Sequence, residues 1–240
     1  MSDGRADRAA LRLPATLLLV GQLLYIGVTL LHADGPANDH PVVFAAYAAS
    51  GNWTAVHLGQ FAAMALLLAG LVALACALDV AAGAARWASR FGAAAAVATL
   101  ALTGVLQAVD GVALKQAVHA WASAPAAERV ARFASAEAIR WLEWGVRSYQ
   151  NVTLGLAVLL LAAAVARTAW IPRPIAGLMG LAGLAYLVQG WVVGVAGFAR
   201  AETLAIVLAY ALDLAWMIWL VAVAARRVAA VRATGPEPRG

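Results

Sequence analysis

Long apolar runs alternate with short polar gaps along the whole chain. A helix crossing the hydrocarbon needs about 20 apolar residues. The pattern predicts spans at 13–32, 57–78, 91–110, 147–167, 175–197 and 202–225. Residues 42–49, with Phe44 and Tyr47, predict a short helix lying at the membrane interface. The third helix is expected to continue through Lys115 and His119 to Trp121. Ser123 to Pro125 then break it, with Pro125 suited to the first turn of a new helix. Residues 128–135 predict a polar helical link. In the fourth span only Val152 to Ala166 is fully apolar. Counting back from Arg167 places Arg147 near the hydrocarbon boundary, with Gln150 and Asn151 inside it.

The expected fold is therefore all-α: one polytopic transmembrane bundle of six helices over residues 13–226. Helices three and four are predicted to extend beyond the outer face as a hairpin. Residues 1–12 form an N-terminal segment and 227–240 a disordered tail.

Composition strengthens this reading. The 240 residues are 64% hydrophobic and 12% charged, against roughly 25% charged in a soluble domain. The net charge of +5 does not point to nucleic acid, because the arginines sit at span ends rather than in one patch. Arg5, Arg8, Arg12, Arg86, Arg90, Arg167, Arg173, Arg226, Arg227, Arg232 and Arg239 flank one side of the spans, and the first loop on the other side holds no basic residue. Basic residues favour the cytoplasmic side. Both termini are thus predicted cytoplasmic, in a bacterial inner membrane, which agrees with an even number of spans. The single cysteine, Cys76, excludes an internal disulfide framework.

Polar residues recur at helical spacing inside these apolar runs. Gln22, Tyr25, Thr29 and His32 share one face. So do His57 and Gln60; Thr103, Gln107 and Asp110; Tyr186 and Gln189; and Tyr210 and Asp213. Arg140, Glu143, Arg147 and Gln150 form a further stripe, with Asn151 beside it. A charge facing lipid at mid-membrane costs about 2.5–3.5 kcal/mol on insertion scales. These faces are therefore expected to converge on a polar core in the outer half, open or nearly open to the outside. Arg147 is its expected cationic centre, paired with Glu143 at i−4 and with Asp110 or Asp213 across helices. A structural network that fixes helix packing fits the same stripes.

The candidate chemistries are limited. No two histidines stand at HxxxH spacing, so no metal site is predicted; His32, His40, His57 and His119 read as structural or capping residues. A haem would need two axial histidines at matching depth, for which His57 with His32 or His119 are the available pairs; no CxxCH occurs. Asp213, Asp110 or Glu143 could act as an acid on a lipophilic, isoprenoid-like substrate. Lys115 lacks the setting of a retinal lysine. Trp141 and Trp144 suit the aromatic belt or the wall of a pocket.

On the strings NWTAVHLGQ, LQAVDGVALKQAV and RWLEWG, the chain resembles small bacterial integral-membrane proteins that carry similar strings on six helices. That resemblance implies the architecture and no activity. The expected function is non-enzymatic: binding, sensing or moving a small solute or lipid, with the bilayer as partner and no cofactor. A carboxylate enzyme and a haem or quinone redox protein are the alternatives.

Overall fold

A computed structural model describes residues 10–33, 35, 36, 38–78 and 83–233, with side chains through residue 225. Most of the N-terminal segment, Asp34, the connection at 79–82 and the tail at 234–240 lie outside the described residues. The elements are α1 (Arg12–Thr29), α2 (His40–Ala49), α3 (Trp53–Ala77), α4 (Gly83–Leu106), a π-helical segment (Gln107–Leu114), α5 (Lys115–Ala122), α6 (Ala126–Val165), α7 (Arg173–Ala196) and α8 (Arg200–Ala233). Among the described residues every regular element is helical. Six of the helices are long and apolar enough to cross a membrane, with α4, the π segment and α5 counting as one.

Local chemistry sets the boundaries. Pro125 precedes α6 and Pro172 precedes α7, where a missing N–H costs nothing. Asp39 caps α2 by accepting from the Val42 N–H at 3.4 Å. Gly197, at φ 64°, ends α7 in a conformation that other residues rarely adopt. Helices α3 and α4 begin at Trp53 and Gly83, before the expected 57 and 91, and two other boundaries also differ from expectation. The polar link at 128–135 and the fourth span are one 40-residue helix, because Ala, Glu and Arg sustain helix and no proline interrupts them. The last helix runs to Ala233, past the expected end at residue 225, through an Ala- and Val-rich continuation.

The six long helices form a closed ring in which each packs on its neighbour in sequence. The order runs α1, α3, α4, α6, α7 and α8, and α8 returns to α1. Leu18, Leu67, Leu71, Leu161, Met179, Trp216 and their neighbours fill the ring's interior. Large apolar side chains such as Leu23, Leu58, Val97, Trp191 and Val207 stand exposed on the outside, a surface suited to lipid. Glycines bring helices together. A Cβ on Gly190 would lie 2.8 Å from the Ser148 carbonyl oxygen of α6 and 3.1 Å from the Val152 nitrogen, so the Gly190/Gly194 pair does mark a close contact. Gly190→Val should therefore destabilise the bundle by about 1–3 kcal/mol in a denaturant titration in micelles. Gly180→Val, where a Cβ meets nothing within 4 Å, should not.

One end of the ring is closed by α2, α5 and the start of α6. Val43, Phe44, Tyr47, Trp53, Leu114, Val118 and Ala136 make a second small core there. Lys115 secures this cap. Its ammonium donates to the carbonyl oxygens of Tyr47 (2.6 Å), Ala48 (3.2 Å) and Ser50 (2.8 Å), satisfying the orphan acceptors at the end of α2.

Candidate functional site

The predicted polar faces do meet, in two tiers near the capped end. The upper tier lies directly under α2. Here the π segment turns the Asp110 carboxylate toward α3, and its Oδ2 lies 3.1 Å from His57 Nε2. The other nitrogen of His57, Nδ1, lies 2.8 Å from the Trp53 carbonyl oxygen. A Cβ on Gly111 would sit 3.0 Å from the His57 ring, so a larger residue would push that ring away by a few tenths of an ångström. Trp53 pins the same turn by donating its indole N–H to the Gly111 carbonyl at 2.9 Å. His32 follows the end of α1, and its ring centroid is 5.1 Å from that of His57 and 5.0 Å from that of Trp53. Burial pushes the His32 imidazole below its ordinary range, with Asp110 opposing the shift. Burial likewise pushes the Tyr47 phenol up.

Beside this group Arg140 donates to Glu143 at 2.6 Å, and both side chains are almost fully buried. The guanidinium also lies over the rings of Phe198 (4.5 Å) and Tyr47 (5.4 Å), contacts that reward a desolvated cation. The expected i−4 pairing of Glu143 with Arg147 is therefore replaced by an i,i+3 pairing with Arg140. The physical reason is position: Arg140 has aromatic faces around its charge, whereas Arg147 points toward α1 and α8.

The lower tier surrounds Arg147. Its Nη1 donates to the Tyr25 hydroxyl at 3.3 Å, and its Nε is buried without a partner. Among the described residues no carboxylate lies within ion-pair distance of it. Neither Asp110 nor Asp213 is the expected cross-helix partner. Asp213 instead accepts from the Tyr186 hydroxyl at 2.6 Å and from the Trp216 indole at 2.8 Å. Glu202 accepts from Gln189 at 2.7 Å. Gln22, Tyr25, Arg147, Gln150, Asn151, Tyr186, Gln189 and Tyr210 line one cavity of about 10 Å³, room for about one water. The amide nitrogens of Gln22 and Asn151 and the amide oxygen of Gln189 are buried without partners. Gln150 is engaged, donating to Thr103 at 2.9 Å. Gln60 donates to Thr29 at 3.2 Å, and the Gln107 amide oxygen on the π segment is buried and unpartnered.

Thus the structure gathers Gln22, Tyr25, Arg147, Gln150, Asn151 and Gln189 around one cavity, and His32, His57 and Asp110 in another group. It sets apart Asp213, bonded to Tyr186 and Trp216, and the Arg140–Glu143 ion pair, in which Arg140 Nε is buried without a partner. His40 bonds Glu137 at 2.9 Å and His119 lines a surface groove beside α2, so neither joins the core. Trp144 packs against His40 and Phe198, while Trp141 is exposed. Tyr210 lines the cavity as its polar face predicts; the sequence does not single out Glu202 as the buried partner of Gln189, or Trp53 with Gly111 as the pair that fixes the π segment. A glycine one residue after a buried Asp was the available signal for the last of these. Comparison with family models, with curated proteins and with solved structures returns no match for this chain.

Proposed function

We propose that this multi-pass membrane protein binds a small anionic group, a free anion or the headgroup of an anionic lipid, at Arg147. The observation that carries the reading is a buried guanidinium without a carboxylate in contact, facing unpartnered amide nitrogens of Gln22 and Asn151. Glu202 and Glu143 act on this charge only from beyond contact distance, and an anion that brings acceptor oxygens meets it directly and satisfies its free donors. The cavity holds about one water in this state, so a larger anion requires helices to part. The α1–α8 contact is the least extensive of the six around the ring and provides the door. In this orientation the capped end faces outward, both termini lie in the cytoplasm of a bacterial cell, and the N-terminal part of the 40-residue α6 with its α5 partner stands beyond the outer face. The arginine bias of the sequence supports that placement.

Catalysis by a buried carboxylate is the weaker reading. Asp213, Glu143 and Asp110 each already hold a hydrogen-bonding partner, so none presents an unpaired acid to the cavity. A haem between His32 and His57 is also disfavoured, because rings 5.1 Å apart leave no slot for a macrocycle.

Binding is tested by thermal unfolding of the purified protein in neutral detergent with phosphate, acetate, succinate or phosphatidylglycerol added. At least one anion is expected to stabilise the wild type in a saturable way, and Arg147→Gln to abolish the effect. Response to the lipid alone identifies a headgroup, and response to a free anion identifies a solute. If none of these anions stabilises the wild type, or if Arg147→Gln responds equally, the proposal fails.

A further inference from the structure

We propose that His32, His57 and Asp110 form a binding site for one divalent transition-metal ion at the capped end of the bundle, with an open coordination position. One ligand atom from each of the three residues lies within 4.8 Å of the others. Ions of the zinc type hold imidazole nitrogen and carboxylate oxygen at about 2.0–2.2 Å. Two such atoms on one ion stand about 3–3.5 Å apart, and His57 Nε2 and Asp110 Oδ2 are already at 3.1 Å. His32 has to close by at most about 1–2 Å to complete the set.

The hydrogen bonds around His57 favour this reading. Its Nδ1 faces the Trp53 carbonyl oxygen, which can only accept. Nδ1 therefore carries a proton, and Nε2 and the carboxylate oxygen facing it at 3.1 Å need a cation between them, either a second proton on the imidazole or a metal ion. A backbone carbonyl that holds the far nitrogen of a histidine is also the usual support for a metal ligand. Asp110 Oδ1 is buried without a partner and is free to serve as a second oxygen.

The surroundings are compatible with a dication. Beyond the two histidines, Arg140 is the cation whose charge acts on Asp110, and Glu143 pairs with it at 2.6 Å. The ligands come from the end of α1, the first turn of α3 and the π segment, so an ion would tie three elements together. Single-turn departures from α-helix are frequent at functional sites. Two imidazoles and one carboxylate with open positions suit zinc, iron(II) or cobalt(II) rather than magnesium or calcium. This inference does not rest on the Arg147 cavity.

Cobalt(II) tests the site directly. Untagged, chelator-treated protein in detergent is titrated with cobalt(II), and visible d–d absorption is recorded together with competition by zinc. The wild type should saturate at one ion per chain. Asp110→Asn and His32→Gln should each weaken binding by about tenfold or more, while His119→Gln should not. His32→Cys keeps a ligand and should add a thiolate-to-cobalt charge-transfer band. That gain of signal cannot arise from misfolding or from surface histidines. Absence of d–d absorption in the wild type, unchanged affinity in both ligand variants, or a His32→Cys spectrum without the new band would overturn the proposal. The first of these outcomes would mean that a proton alone holds His57 and Asp110 together.

Discussion

Arg140→Ala is expected to destabilise the bundle by about 3–5 kcal/mol. The Arg140 and Glu143 side chains are 6% and 4% exposed and meet at 2.6 Å. Truncating the arginine leaves Glu143 as a lone buried carboxylate and empties the space over Phe198 and Tyr47. The loss is a penalty for breaking the pair rather than a measure of its net value. Replacing both residues by apolar side chains of similar size, Arg140→Met with Glu143→Leu, should therefore recover most of it. Arg132→Ala provides the contrast. Arg132 and Glu128 also pair, at 3.1 Å, but their side chains are 53% and 55% exposed, and such pairs contribute about 0–1 kcal/mol. Reversible unfolding in mixed micelles measures all three. Equal losses for Arg140→Ala and Arg132→Ala would show that the Arg140–Glu143 pair is solvated in the membrane-bound protein.

Trp53→Ala should cost a similar amount, about 3–5 kcal/mol. Trp53 is 2% exposed and packs its ring against Tyr47, His32 and His57 at centroid distances of 4.5, 5.0 and 4.3 Å. It also lies under the Lys115 ammonium at 5.5 Å. Trp53→Phe separates the two contributions. It keeps an aromatic ring but leaves the Gly111 carbonyl without its indole donor, an expected cost of about 1–3 kcal/mol. The same unfolding assay reads it. If Trp53→Phe were as damaging as Trp53→Ala, the N–H bond to the π segment rather than ring packing would dominate.

The helices were legible because burial in lipid and in a ring both demand long apolar runs, and prolines and polar gaps mark their ends. The polar stripes were legible for the same reason: a Gln or His recurring at three- and four-residue spacing inside such a run has to face inward. What the sequence did not disclose was pairing. Whether Glu143 meets Arg140 or Arg147 depends on which aromatic rings flank each guanidinium, and Phe198 comes from the turn after α7. The π segment has no local signature beyond Gly111, since it depends on contact with His57 and Trp53 from another helix. The sequence brings His32 and His57 toward one end of the bundle, but does not disclose that these two with Asp110, rather than His40 or His119, form the group. A metal motif on one helix shows a fixed spacing, whereas these residues come from three elements and meet only in the folded bundle.

The most direct test of an anion at Arg147 is native mass spectrometry of the protein released from a mild neutral detergent, with wild type and Arg147→Gln compared side by side. The wild type should retain a bound anionic solute or lipid as a discrete added mass, and Arg147→Gln should lose it while remaining folded. Identical spectra from the two proteins, with no added mass on either or the same added mass on both, would contradict the account and leave Arg147 as part of a water-filled structural network.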